Sequence, residues 1–308
     1  MRAIVLLLAC AVLAGCGGAG GSAPTGTTGA QPPAAHVHGP TLVAAGDVAC
    51  APGERRTRFA CHQLDTAALI TRLRPDAVAA LGDLQYEAGS LPDFEGSYDR
   101  TWGVFRDRTH PAVGNHEYGT PGAAGYFAYF GARAGQPGEG WYSYALGSWH
   151  VVVLNANCEE VGCDAGSPQQ RWLAADLAAH PARCTLAYWH QPRFSSGLHG
   201  NENDVAPLWR TLGQAGADVV LSGHDHDYER FAPQDTDGHL DRARGIVQFV
   251  VGTGGKSHYP ILFAHRNSRA HASVFGVLKL TLGQGAYRWR FVPEPGVAFH
   301  DLGTARCR

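Results

Sequence analysis

Five short segments of this 308-residue chain carry side chains that can bind metal ions or move protons. They are Gly46-Asp47, Gly82-Asp83-Leu84-Gln85-Tyr86, Gly114-Asn115-His116-Glu117, Tyr188-Trp189-His190 and Gly223-His224-Asp225-His226. Asp47 and Asp83 offer carboxylates, Asn115 a carboxamide and Tyr86 a phenol, while His116, His190, His224 and His226 offer imidazoles. A set of oxygen and nitrogen donors suits Fe, Zn or Mn and not soft Cu(I). It is large enough for two ions that share one carboxylate. Singly each segment is weak evidence, because a Gly-Asp pair is often a turn and a His-x-His can be surface.

Such donors need elements that bring them to one place. Each segment is expected just after a strand, and strand C-terminal ends are where open α/β sheets place their sites. The preceding glycines allow the tight turns this requires. Apolar runs at Thr41–Gly46, Ala77–Leu81, Trp149–Leu154, Thr185–Trp189 and Asp218–Leu221 read as strands. Helical spacing covers Leu64–Leu73, ending before Pro75. Ser167-Pro168 caps and opens a helix to about Ala179, and another covers about Asp204–Ala215. Gly245–Val251, Val274–Leu282 and Gly285–Val292 read as strands with no helices between them. Alternation followed by a strand-rich end predicts a layered α/β fold with mixed sheets.

Composition agrees. With 44% hydrophobic and 17% charged residues the chain can build a core, which excludes a disordered protein. A net charge of −2 gives no reason to expect a nucleic-acid partner. The first 16 residues, MRAIVLLLACAVLAGC, place Arg2 before an apolar run too short to span a bilayer but suited to a signal peptide. The run ends in Leu13-Ala14-Gly15-Cys16, which resembles a bacterial lipoprotein box with Cys16 as the lipidated residue. An ordinary cleaved secretion signal is the alternative. Residues 17–38 are Gly, Ser, Thr, Ala and Pro without a periodic apolar face, a tether with a reach on the order of 25 Å. The folded catalytic domain is then expected over 39–308. The expected location is outside the cell, on the outer side of a bacterial membrane through the N-terminal lipid alone. Six further cysteines, Cys50, Cys61, Cys158, Cys163, Cys184 and Cys307, suggest disulfides in an exported chain. They allow fifteen pairings. Cys50–Cys61 and Cys158–Cys163 would close short loops, and Cys184–Cys307 would pin the C-terminal segment. A zinc knuckle has no C-x-x-C to rest on.

The five segments in this order resemble the calcineurin-like metallophosphoesterases, and within them the purple acid phosphatases, over about residues 41–302. Asp47-Val48-Ala49 lacks the histidine of the usual Asp-x-His, and Tyr86 in Gly-Asp-x-x-Tyr stands in for it. Tyr228-Glu229-Arg230 after His226 also fits the subgroup, while Ala49 departs from its usual glycine. The resemblance implies a four-layer αββα sandwich with two mixed β-sheets, in a compact form with a tether before the motifs. It implies two metal ions. Asp47, Asp83, Tyr86 and His226 would hold the first, commonly Fe(III). Asp83, Asn115, His190 and His224 would hold the second, Fe, Zn or Mn, with Asp83 bridging. It further implies hydrolysis of a small phosphoric monoester by in-line attack of a metal-bridging hydroxide. His116 is the first candidate for protonating the leaving group, oriented by Glu117, and His199 is the second. A phosphodiesterase or nucleotidase on the same scaffold is one alternative. A metal-holding binding lipoprotein without turnover is another.

Other features carry less. Gly252-Thr253-Gly254-Gly255-Lys256-Ser257 resembles the end of a P-loop, but Val250 stands where its first glycine is needed, so a loop lining the site or merely turning is expected. No Gly-x-Ser-x-Gly occurs. His258, His265 and His271 are expected on the surface or hydrogen-bonded in the core. Trp102, Trp141, Trp172 and Trp209 are expected in the core. Arg193 could bind phosphate or form a surface salt bridge.

Overall fold

The computed structural model describes residues 37–308. The expected signal segment, Cys16 and nearly all of the tether lie outside the described residues. The described part contains two mixed sheets flanked by helices.

The first sheet has the order β13-β12-β11-β1-β2-β3, where β1 is Thr41–Ala45, β2 Ala77–Leu81, β3 Thr109–Ala112, β11 Gly276–Gly283, β12 Ala286–Pro293 and β13 Leu302–Arg306. β1, β2 and β3 run parallel, and the other three continue antiparallel from β1. The short runs Leu42–Ala45 and Ala77–Leu81 are buried along their whole length, as central strands covered on both faces require. β12 instead alternates, with Tyr287 and Phe291 inward and Arg288 and Arg290 outward.

The second sheet has the order β10-β8-β9-β7-β6-β5-β4. Here β4 is Tyr142–Leu146, β5 Trp149–Val153, β6 Cys184–Tyr188, β7 Val219–Ser222, β8 Tyr228–Phe231, β9 Val247–Val251 and β10 Ser268–Ala272. β5, β6, β7 and β9 are parallel, with β4, β8 and β10 antiparallel at the margins. The sheets pack face to face around Val78, Trp149, Tyr188, Phe249 and Leu280. Trp149 Nε1 donates to the Gly283 carbonyl at 2.9 Å, and Tyr188 Oη donates to the His110 carbonyl at 2.9 Å, so both links cross between sheets.

Helices supply the outer layers. α1, Gln63–Leu73, buries Leu69 and Ile70 and ends at Arg74, a left-handed cap before Pro75. α2, Ala124–Phe130, anchors to β3 through Tyr126 Oη on the Pro111 carbonyl at 2.9 Å. α3, Pro168–Ala179, starts at Ser167, whose hydroxyl accepts from the Gln170 N–H at 3.2 Å, a cap worth about 1 kcal/mol. α4, Ala206–Gln214, places Leu208, Trp209 and Leu212 with Leu173 of α3 against Val152, Val220 and Val250. Trp102, Trp141 and Trp209 are buried as expected, and Trp172 is half-buried beside the same layer.

Three disulfides join Cys50 to Cys61, Cys158 to Cys163 and Cys184 to Cys307. The last ties the start of β6 in the second sheet to the residue after β13 in the first.

Candidate metal centre

The expected segments converge on one rim, at the C-terminal ends of the parallel strands of both sheets. Asp47 follows β1 and Asp83 follows β2, whereas His190 follows β6 and His224 follows β7. Asp47, Asp83 and His224 have φ of 59°, 49° and 72°. Left-handed backbone at a non-glycine residue costs of order 1–3 kcal/mol and persists where the surroundings impose it. The glycines permit the closeness. A Cβ at Gly114 would run into the Asp83 backbone and carboxylate, and one at Gly82 would meet the His190 ring at 2.7 Å.

Tyr86 Oη donates to Asp47 Oδ1 at 2.9 Å and lies 3.1 Å from Asp83 Oδ2 and 3.0 Å from His226 Nε2. His226 Nε2 lies 3.2 Å from Asp47 Oδ1, and its Nδ1 is 2.7 Å from Ser257 Oγ. His190 Nδ1 bonds the Leu81 carbonyl at 2.8 Å, leaving Nε2 to face Asp83 Oδ2 at 3.1 Å and His224 Nδ1 at 3.3 Å. Donor atoms of Asp83, His190 and His224 all lie within 4.8 Å of one another. Asn115 directly follows Gly114, which packs against Asp83; it is exposed, and its carboxamide makes no hydrogen bond to the cluster among the described residues.

The residues fit a metal. His190 and His226 each commit Nδ1 to an outer oxygen, which holds Nε2 on the carboxylate side, the usual arrangement of ligating imidazoles. Two imidazole nitrogens facing each other at 3.3 Å are stable only with a cation, or one proton, between them. Titration behaviour agrees. Burial pushes the His190 imidazolium down, but Asp83 and Asp47 outweigh it and raise its pKa to about 9. Burial and then the His190 charge push His224 down to about 3. Burial opposes ionisation of Asp47 and Asp83, yet neighbouring histidines hold both carboxyls below the usual range. Burial and the two carboxylates raise Tyr86 well above an ordinary phenol. A positive ion at the phenol would reverse that shift.

His116 sits on the same rim. Its N–H donates to Asp83 Oδ1 at 2.8 Å, and its Nε2 lies 3.9 Å from Asp83 Oδ2. Its orientation corrects one expectation. Glu117 does not hold the His116 ring. The buried Glu117 carboxylate accepts the N–H groups of Asp83, Leu84, Gln85 and Gly114 at 2.7–3.2 Å, and the His116 ring bonds the Glu87 carbonyl through Nδ1 at 2.6 Å. Consecutive residues of a short 3₁₀ turn point apart, so Glu117 braces the Asp83 loop from beneath. Burial and then Asp83 raise the Glu117 pKa to about 7. His199 is exposed, with its ring 4.3 Å from that of His224 and its N–H on Asp225 Oδ1 at 2.8 Å.

The glycine loop lines the site. Gly254 N–H bonds the Gly46 carbonyl at 2.8 Å, and Lys256 N–H bonds the Asp47 carbonyl at 2.9 Å. It also supplies Lys256, read in the sequence only as part of this loop, and leads to Tyr259, which that reading did not single out. Tyr259 stacks on His226 at 4.4 Å, and Lys256 Nζ lies 4.8 Å from the centre of the Tyr86 ring and pairs with Glu87. Their only signal was the loop's position after a strand. His258 faces Phe275 and Phe59, His265 packs near Phe194 and Phe231, and His271 is exposed. Arg193 fits neither expectation. It is buried, donates to Asn203 Oδ1 at 2.8 Å and the Thr236 carbonyl at 2.9 Å, and stacks on Phe194.

Residues 41–228, more than half of the chain, match the family model described as calcineurin-like phosphoesterase. An uncharacterized protein of Mycobacterium tuberculosis is 32% identical over 190 residues, covering 48% of this chain and 35% of the relative. Purple acid phosphatase 15 of Arabidopsis thaliana is 28% identical over 228 residues, covering 62% and 42%. The chain thus spans about two fifths or less of these relatives' length. A purple acid phosphatase structure from yellow lupin (Lupinus luteus) seeds superposes with a TM-score of 0.68 at 21% identity, over 87% of this chain and 53% of that one, and shares the fold.

Proposed function

Because the chain belongs to the calcineurin-like phosphoesterase family, we propose that it hydrolyses small phosphoric monoesters at a two-metal centre on this rim. The observation that carries the reading is the convergence of Asp83, His190 and His224 within 4.8 Å, next to a phenol set between Asp47, Asp83 and His226. Asp47, Asp83, Tyr86 and His226 would hold one ion and Asp83, Asn115, His190 and His224 the other, with Fe(III) and then Fe, Zn or Mn as the pair suggested by family likeness. Bound there, such ions would supply Lewis acidity and a nucleophilic hydroxide at neutral pH.

The chain's own residues do the rest. Glu117 fixes the Asp83 loop through four N–H groups, so Asp83 can face both donor sets. His116, its Nδ1 anchored on the Glu87 carbonyl, carries Nε2 at the rim 3.9 Å from Asp83 Oδ2 and is placed to give a proton to a departing alkoxide. His199, beside His224, is the second donor candidate. Export with a lipid on Cys16 is part of the proposal and is supported by the sequence of residues 1–16 and by three disulfides, which persist in oxidising compartments.

The test is hydrolysis of an aryl phosphomonoester against the matching diester by the metal-loaded full chain, with Asp83→Asn as blank. Monoester preference that disappears in the variant is the expected result. Diester preference would move the function to a phosphodiesterase. No turnover with two metals bound would leave a binding protein.

A further inference from the structure

The face of β11, β12 and β13 that points away from the core is basic. Register and alternating burial turn Lys279, Arg288, Arg290, Leu302 and Arg306 to this side, with only Thr281 and Thr304 between them, so the face holds four cations and no carboxylate. The chain's formal charge is −2, so the cluster does not reflect a general basic excess. None of the four forms an ion pair among the described residues. Acids at the borders are engaged elsewhere. Asp76 accepts the Thr41 N–H at 2.7 Å, and Glu294 pairs with His62 at 2.8 Å. Lys279 stands directly opposite Arg290. Like charges so placed destabilise a strand pair, and here the cost is unrelieved. Charges on an edge strand guard a sheet against extension, but that accounts for Arg306 alone, since β11 and β12 are inner strands.

The path of the chain says what lies near this face. A Cβ at Gly283 would meet Val37 Cγ1 at 2.8 Å, and the Leu282 N–H bonds the Pro40 carbonyl at 2.9 Å. Gly283 pairs with Ala286 and Ala286 with Arg306, so the chain enters the domain at the last row of the basic face. Twenty residues, 17–36, separate Cys16 from Val37 and reach on the order of 25 Å. The eight residues of β12 cover about 26 Å, so a lipid on Cys16 keeps the whole face within reach of a bilayer. Asp47 and the other metal donors lie past the opposite end of β1, outside this face.

We infer that the outer face of β11–β13 docks on the anionic surface of the bilayer, with phospholipid phosphates as counter-ions of Lys279, Arg288, Arg290 and Arg306. Leu302, 68% exposed among them, supplies an apolar contact. The inference rests on the reading of Cys16 as a lipidated residue and adds the attitude of the domain on its membrane. An anionic leaflet strengthens attachment by about fivefold for each basic side chain near its surface. The attraction fades within a Debye length, about 8 Å at physiological salt, and a sheet face meets that limit because its side chains end near one plane. Arginine, three of the four, matches phosphate oxygens with a two-pronged fork. The tether makes the contact intramolecular, so a face too weak to hold a free domain suffices for a tethered one.

The test combines the full chain with vesicles of phosphatidylglycerol and phosphatidylcholine at roughly 30:70, or of phosphatidylcholine alone. Phenylglyoxal modifies accessible guanidinium groups, and mass spectrometry reads the rate at each arginine. On the anionic vesicles the rates at Arg288, Arg290 and Arg306 should be about tenfold lower than on the neutral ones. Salt at about 1 M should restore them. Rates at Arg100, Arg171 and Arg210, exposed on other surfaces, should be the same on both vesicles. In Lys279→Gln/Arg290→Gln the protection of Arg288 and Arg306 should drop to about twofold, with far-ultraviolet dichroism unchanged. Equal rates on the two vesicles overturn the docking face. So does protection spread evenly over all six arginines, or protection that the double variant keeps in full. The mass of the N-terminal peptide, read in the same samples, separates this inference from the anchor it rests on. Protection of the face without lipid on Cys16 would overturn the anchor and keep the face. Lipid on Cys16 without protection would overturn the face and keep the anchor.

Discussion

His190 turns Nε2 toward Asp83 Oδ2 at 3.1 Å because its other nitrogen is held by the Leu81 carbonyl at 2.8 Å. A strand-end carbonyl of one sheet thus aims a side chain of the other. Replacing His190 with Ala removes a donor and leaves the aiming carbonyl idle. Bound metal, measured by plasma emission after gel filtration, should fall by about one ion per chain, with far-ultraviolet dichroism unchanged. Full retention of both ions would remove His190 from the ligand set.

His116→Ala should keep both ions yet lose turnover, by about 10²–10³ for an alkyl ester and far less for a nitrophenyl ester, whose leaving group needs no proton. Equal losses on the two esters would assign His116 to binding and not to proton transfer.

Glu117→Gln places an amide N–H against backbone N–H groups that now meet a carboxylate. The expected cost is about 3 kcal/mol in urea unfolding, together with weaker metal retention. If stability held and only the pH profile of turnover moved, Glu117 would be acting on His116 after all.

His110 stacks on Tyr144 at 3.7 Å, and burial, then Arg133, push its pKa down to about 4. The unfolded chain binds that proton near pH 6.5 and the folded chain only near 4, so stability should fall as pH drops through this interval. His110→Phe should flatten the slope there in denaturation curves taken at several pH values. A slope unaltered by the substitution would mean that other groups set it.

Cys184 and Cys307 are separated by 123 residues, so their bond removes much freedom from the unfolded chain. Cys184→Ser/Cys307→Ser should cost about 2–5 kcal/mol in urea unfolding while leaving metal content intact. Metal loss in the native state of this variant would show that the bond also shapes the rim.

Much of this was legible in the residues. The apolar runs of β1, β2, β5, β6 and β9 are short and β-branched or alanine-rich, and all but β6 are flanked by a nearby glycine, so their apolar contrast found them. β3, with Pro111 in four residues, and β4 and β10, only partly buried, show no such contrast. Turns from Leu91 to Ala134 obey tertiary packing and carry little periodic signal. In the site, donor types could be read because they repeat a recognisable order. The partner of Glu117 could not, since adjacency in sequence says nothing about which way a short 3₁₀ turn points each side chain. Tyr259 was hidden because it meets His226 only through the folded course of its loop.

The bond between Cys184 and Cys307 has a mechanical consequence. It sits at the start of β6, and His190 sits just past its end, roughly 20 Å away. The two plates of the sandwich are therefore riveted at one lip by sulfur and meet at the opposite lip in candidate ligands drawn from both plates. Between the lips the apolar interior and the cross-sheet bonds of Trp149 and Tyr188 hold the plates in register, so the donor sets of the rim are positioned by the whole sandwich.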